Sequence, residues 1–286
     1  MDLLDRSIFG QLETAAAQIE GLMDADVLFY SGPIHPTLFR QFRDYVESIK
    51  ERSEGRAALS VFVRTGGGSA ETAERMVSVL RYHYERIYFV VPDIAMSAGT
   101  ILCMSGDKIY MDYSSSLGPI DPQVQDPHTG EFVPALGYLD KVRELTEKVA
   151  LSDADMLMLQ TMDLGRLAVF EQARDLSIDL LKKWLVAYKF QHWTTHRSTN
   201  VGDPVTQEQK QARAEEIATA LTDHRRWRSH GRHLDVGKLA ELRIEIDDYS
   251  TDAELAPLIR DFNDSLTGYI DRNGVPYFLY NHRVGL

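Results

Sequence analysis

Between residues 26 and 111 the chain alternates short apolar runs with amphipathic stretches. Asp-Val-Leu-Phe-Tyr-Ser at 26–31 is a nearly continuous apolar run ending at Gly32-Pro33, the pattern of a short buried strand closed by a turn. A helical stretch follows from about Pro36 to Glu51. A second strand is expected from Ala58 to Arg64, running into Thr65-Gly66-Gly67-Gly68-Ser69. Residues 70–85 then set Met76, Val77, Leu80 and Tyr84 on one helical face. A third strand, Arg86 to Val91, stops at Pro92 and leads into Ala95-Met96-Ser97-Ala98-Gly99-Thr100, where another helix should begin. The strand Lys108 to Met111 comes next. Strand and helix in this rhythm imply an α/β fold with a parallel sheet and right-handed crossovers.

The second half is patterned differently. Residues 120–135 carry Pro122, Pro127, Gly130 and Pro134 and read as a loop. From about Tyr138 to Gln191 the chain is mostly helical, with Leu176, Leu180, Leu181, Trp184 and Leu185 on an apolar face. A polar stretch, Thr194 to Gln209, precedes a helix from about Gln211 to Leu221. One more helix is expected after Asp252. It is followed by Val275-Pro276-Tyr277-Phe278-Leu279-Tyr280, an apolar and aromatic segment without a local partner and so available for a contact between subunits. The expected organisation is one domain over residues 1–250, with its core at about 25–125 and a helical part at about 138–225. Residues 251–286 form a C-terminal helix and apolar tail.

Composition narrows the function classes. Of 286 residues, 44% are hydrophobic and 26% charged, as in an ordinary soluble globular chain. A net charge of −12 disfavours non-specific binding to nucleic acid or anionic membranes. The basic run His224-Arg225-Arg226-Trp227-Arg228 reads as a solvated helix end. Met1 to Arg6 shows no basic leader before an apolar run, and no stretch approaches the ~18 apolar residues of a membrane span. Cys103 is the only cysteine, which excludes intrachain disulfides and fits a reducing, cytoplasmic setting. Its neighbours Ile101, Leu102 and Met104 mark it as a core residue. His83, His128, His192 and His196 lack metal-ligand spacing. His192 and His196 are four apart, but no acidic residue accompanies them, so a helix-end pair is the reading.

Two features carry candidate chemistry. Gly66-Gly67-Gly68 lies directly after one buried strand and before a helix, where glycines let backbone N–H groups approach a ligand closely. It matches neither a dinucleotide fingerprint nor a P-loop. Ser97 stands after the next strand at a helix start; taken alone, it reads as an N-cap. Adjacent parallel strands bring both loops to the same end of the sheet. There the N–H groups of Gly68 and Ala98 can face one point beside Ser97 Oγ, the geometry that acyl transfer requires.

Thr65-Gly-Gly-Gly-Ser-Ala, Ala95-Met-Ser-Ala-Gly-Thr and Ser116-Leu-Gly-Pro-Ile-Asp-Pro-Gln123 together resemble the successive motifs of the serine dehydrogenase proteinase family. That family groups with the Clp protease peptidase subunit, the signal peptide peptidases and the crotonases. The resemblance covers about residues 25–125 and reappears at Ser229-His230-Gly231-Arg232-His233-Leu234. It implies a core of repeated ββα units with helical additions, a serine hydrolase acting on peptide or protein substrates, self-association, and no metal or organic cofactor. By analogy Ser97 is the nucleophile, with Gly68 and Ala98 as oxyanion hole. Three arrangements compete for the base: Ser97 with Lys141, Ser97 with His230 and Asp121, or a degenerate site. Asp121 and His230 both fall in segments that align with triad-bearing segments of relatives. Lys141 and Lys148 lie where signal peptide peptidases carry a lysine base. A crotonase-like enzyme acting on an acyl-CoA thioester is the rival reading, although that chemistry has no need of an exposed hydroxyl.

Overall fold

The computed structural model describes residues 3–125, 132–161, 164–196 and 201–285. A long helix that the sequence pattern did not flag, α1 (Leu3–Met23), turns at Asp24 into strand β1 (Asp26–Ser31). A 3-10 turn at Pro36–Leu38 opens α2 (Phe39–Glu51), followed by β2 (Ala58–Arg64), α3 (Ala70–His83) and β3 (Arg86–Val90). The short β4 (Ile94–Ala95) feeds α4 (Ala98–Cys103), then β5 (Lys108–Met111) and β6 (Ser116–Leu117). These bounds follow the apolar runs closely, because each run is a strand buried on both faces.

The proline-rich stretch is not all loop: β7 (Gln123–Gln125) and β8 (Phe132–Pro134) pair antiparallel. Pro127, His128 and Gly130 lie outside the described residues. The helical half comprises α5 (Ala135–Thr146), α6 (Asp153–Thr161) and α7 (Leu164–Trp184), the last widening into a π turn at Leu185–Lys189. Then come α8 (Gln207–Thr222), α9 (His224–Trp227) and α10 (Val236–Glu241). α8 starts a turn earlier than its apolar pattern implies, because Thr206 and Gln209 form a reciprocal capping box. The chain ends with β9 (Asp247–Asp248), α11 (Leu255–Asn273) and β10 (Phe278–Tyr280).

The main sheet has six strands in the order β10-β1-β2-β3-β5-β9. All neighbours are parallel except β10, which runs antiparallel to β1 with Tyr30 opposite Leu279. The apolar tail therefore has an intramolecular partner: it is an edge strand, and Phe278, Leu279 and Tyr280 are buried in this chain. Distance in sequence hid that pairing.

Side chains alternate across the sheet into two cores. Leu28, Tyr30, Leu59, Val61 and Val63 face the layer of α2, α3, α4, α7 and α8. Val27, Phe29 and Phe62 face α1 and α11, where Phe262 meets Phe62 edge-on at 5.1 Å between centroids. A sheet covered on both sides needs apolar residues at consecutive positions, which is why its strands read as unbroken runs.

After β1, β2, β3 and β5 the chain turns into a short segment of a second layer. β4 pairs in parallel with β6, and isolated bridges Ile34–Gly68, Thr65–Ala95 and Leu117–Leu234 extend this second layer on both sides. Strand, short strand and helix thus repeat as the expected ββα unit. Among the described residues no helix is long and apolar enough to cross a membrane.

Candidate active site

Ser97 joins β4 to α4 with φ 52° and ψ −117°, a conformation that residues other than glycine rarely adopt. The turn is held on both sides. The Met96 N–H donates to Thr65 O at 3.0 Å, while the N–H groups of Gly99 and Ile101 close onto Met96 O and Ser97 O at 2.8 and 3.2 Å. The Thr100 hydroxyl lies 2.8 Å from both Ala95 O and Gly118 O, which anchors the start of α4 to the second layer. Ser97 occupies the N-cap position of α4, yet its hydroxyl makes no capping hydrogen bond. The turn presents that hydroxyl to the surface of a cleft instead.

The glycine loop meets this turn. Gly67 has φ 106°, and a Cβ on it would lie 2.8 Å from Ser97 Cβ and 3.4 Å from Ala98 N. Gly68 has φ 148°, and a Cβ there would sit 2.1 Å from Ile34 O, so both backbone conformation and space demand glycine. The Ile34–Gly68 bridge is made by Ile34 N–H to Gly67 O and Ser69 N–H to Ile34 O, both 2.9 Å. That ladder leaves the Gly68 N–H unused. Ala98 is the first residue of α4, where a backbone N–H has no intrahelical acceptor. Gly68 and Ala98 both line the cleft that Ser97 lines.

His230 arrives from the far end of the chain. Leu234 and Leu117 exchange hydrogen bonds in an antiparallel bridge, with 3.1 and 2.8 Å between N and O. Asp121 lies four residues after Leu117, and His230 four before Leu234, in the turn closed by Arg232 N–H to Ser229 O at 3.1 Å. The result is a contact of 3.0 Å between His230 Nδ1 and Asp121 Oδ1, with Asp121 2% exposed. A carboxylate in this contact accepts from Nδ1–H, and in the neutral imidazole that tautomer leaves Nε2 as the acceptor nitrogen.

Ser97, Ala98, Gly68 and His230 line one cleft of about 570 Å³. Ile101, Ile120 and Leu176 provide apolar wall. Leu176 belongs to the apolar helix face that the sequence pattern marks, a pattern that does not by itself point to a site. His35 and Glu71 also line the cleft and were not anticipated; each stands beside a turn, where a polar residue has a local explanation. Lys141 is elsewhere. It lies on α5, half exposed, with Nζ 3.0 Å from Glu144 Oε1, and it does not line the cleft. Lys148 is paired with Asp155 at 2.8 Å. Cys103 is fully buried, and burial pushes its thiol well above the ordinary range, so it is no second nucleophile.

Comparison with known proteins gives a family. Residues 47–201, more than half of the chain, match the family model described as ClpP-like SDH-type serine proteinase. An uncharacterized protein of Methanocaldococcus jannaschii is 29% identical over 188 residues, covering 66% of this chain and 51% of that protein. A second from the same organism is 31% identical over 124 residues, 43% of this chain and 40% of the other. The chain thus spans about half the length, or less, of the curated relatives it matches. Among solved structures, a peptidase from Plasmodium falciparum superposes with a TM-score of 0.41 at 11% identity, over 78% of this chain and 94% of that one. A mutant of ClpP1 from Listeria monocytogenes gives 0.39 at 11%, over 82% and 98%. A mutant of a membrane-bound stomatin-specific protease in complex with a substrate peptide gives 0.34 at 23%, over 42% and 57%.

Proposed function

The chain belongs to the ClpP-like SDH-type serine proteinase family, and on that premise we propose that it cleaves peptide bonds with Ser97 as nucleophile, His230 as general base and Asp121 as the group that orients His230. One observation carries the reading: the strained Ser97 and a histidine already bonded to a buried carboxylate line the same cleft. In the reaction, His230 Nε2 takes the proton of Ser97 Oγ as the oxygen attacks the substrate carbonyl. The resulting oxyanion accepts hydrogen bonds from the N–H groups of Gly68 and Ala98. The imidazolium, stabilised by Asp121, returns the proton to the leaving amine. Water, deprotonated by the same nitrogen, then releases the acyl group.

Lys141 is the less suitable base, because it pairs with Glu144 at 3.0 Å on an exposed face of α5 and does not line the cleft. Self-association has apolar surface to draw on in α6, where Met156, Leu157 and Met158 are exposed, and sedimentation velocity tests it. The single buried cysteine suits a reducing compartment.

Labelling with a serine-reactive fluorophosphonate tests the central reading. Wild type should be labelled at Ser97, and Ser97→Ala should lose both label and peptide hydrolysis while keeping its thermal transition. Undiminished turnover by Ser97→Ala would refute it.

A further inference from the structure

Building on the peptidase reading, we propose that Glu71 selects substrates with a lysine or arginine close to the scissile bond. The cleft has the volume of a small-ligand pocket, about 570 Å³, so it surrounds only the few side chains nearest the bond being cut. Around Ser97 its walls are apolar, made by Ile101, Ile120 and Leu176. Among the described residues lining it, Glu71 is the one acidic side chain, and no lysine or arginine stands beside it in the lining. The two histidines in the lining are already engaged, His35 with Thr37 at 2.8 Å and His230 with Asp121.

Glu71 is exposed but positioned. Ser69 Oγ donates to Glu71 Oε2 at 2.8 Å and accepts from the Thr72 N–H at 3.0 Å, so one hydroxyl both caps α3 and ties the carboxylate back toward the Gly68 segment. A carboxylate offers about four acceptor sites, and the ones not taken by Ser69 can receive an ammonium, or a guanidinium through two parallel hydrogen bonds. With no lining cation among the described residues to neutralise it, Glu71 attracts a basic substrate side chain and repels an acidic one. The chain's net charge of −12 acts in the same direction at longer range.

Glu71 also sits in the first turn of α3, where a negative charge favours the helix. That role affects all substrates alike, so the test compares substrates. Internally quenched peptides sharing one apolar core would be varied singly, as Arg, Gln or Glu, on either side of the scissile bond. At neutral pH and low salt, wild type should favour the best Arg peptide over its Gln counterpart by about fivefold in kcat/KM, the scale of an exposed ion pair. Glu71→Gln should bring that ratio within about twofold, and Glu71→Arg should reverse the order of the Arg and Glu peptides. Binding of the same peptides to Ser97→Ala, followed by fluorescence anisotropy, should rank them identically. Equal treatment of Arg and Gln by wild type, or a preference that survives Glu71→Gln, overturns the proposal. If no peptide is hydrolysed, the peptidase reading fails, while the binding order still decides the role of Glu71.

Discussion

A serine at φ 52° holds a conformation that costs on the order of 1–3 kcal/mol, and the hydrogen bonds around Met96 and Gly99 must offset it. Glycine has no such penalty, so Ser97→Gly should be more stable than Ser97→Ala by about 1 kcal/mol, although both lack the hydroxyl. Chemical denaturation of the two variants checks this; equal midpoints would mean that the turn is relaxed. The strain itself was not legible in the sequence. Small residues on either side of Ser97 indicated a tight turn, but an N-cap serine gives the same string. What separates them is the missing capping bond, which only three dimensions reveal. Gly68 was legible as a glycine the chain needed, but the reason, a carbonyl of Ile34 pressing from the neighbouring short strand, was not.

Elements explain why some site residues could be read and others could not. β1, β2, β3 and β5 follow their apolar runs because burial on both faces leaves little freedom in residue choice. The β7–β8 pairing lies within a proline-rich stretch, and the early start of α8 rests on the Thr206–Gln209 capping box; hydropathy records neither. The isolated Leu117–Leu234 bridge brings the segments of Asp121 and His230 together, a contact between distant parts of the chain that no periodicity encodes. If the Asp121 contact fixes the tautomer of His230, Asp121→Asn should lower kcat by about 10⁴-fold with little change in KM, because an amide can donate to Nδ1 and turn the wrong nitrogen toward Ser97. Lys141→Ala removes an exposed ion pair and should change kcat less than twofold. Comparable losses in the two variants would return the lysine to contention. Steady-state kinetics on one peptide decides between them.

Taken whole, the molecule closes through its last residues. Glu20, 1% exposed, receives Arg283 Nη1 at 3.0 Å; the same nitrogen reaches Asp26 at 3.1 Å, and Tyr84 donates to Asp26 at 2.9 Å. Burial pushes the Glu20 carboxyl up, but contacts with His282, Arg283 and the Val27 N–H together outweigh it and hold the group below its ordinary range. A carboxylate depressed in the folded state adds stability above its unfolded pKa and loses it as pH falls through the folded one. Glu20→Gln should therefore cost about 3 kcal/mol at neutral pH. The gap to wild type should narrow on acidification through and below the carboxylate range, as followed by urea midpoints across pH. A gap independent of pH would assign the loss to packing instead of charge.

The antiparallel pairing of β10 with β1 also has a consequence in time. On the ribosome β10 emerges roughly 250 residues after the strand it covers, which at ~5–20 residues per second is on the order of ten to fifty seconds. Through that interval the outer N–H and C=O groups of β1 are a bare template that any extended segment can join. The same segment from a second nascent copy would fit as well as the chain's own. Crowded synthesis, as on a polysome, should therefore favour molecules that have exchanged their last strands.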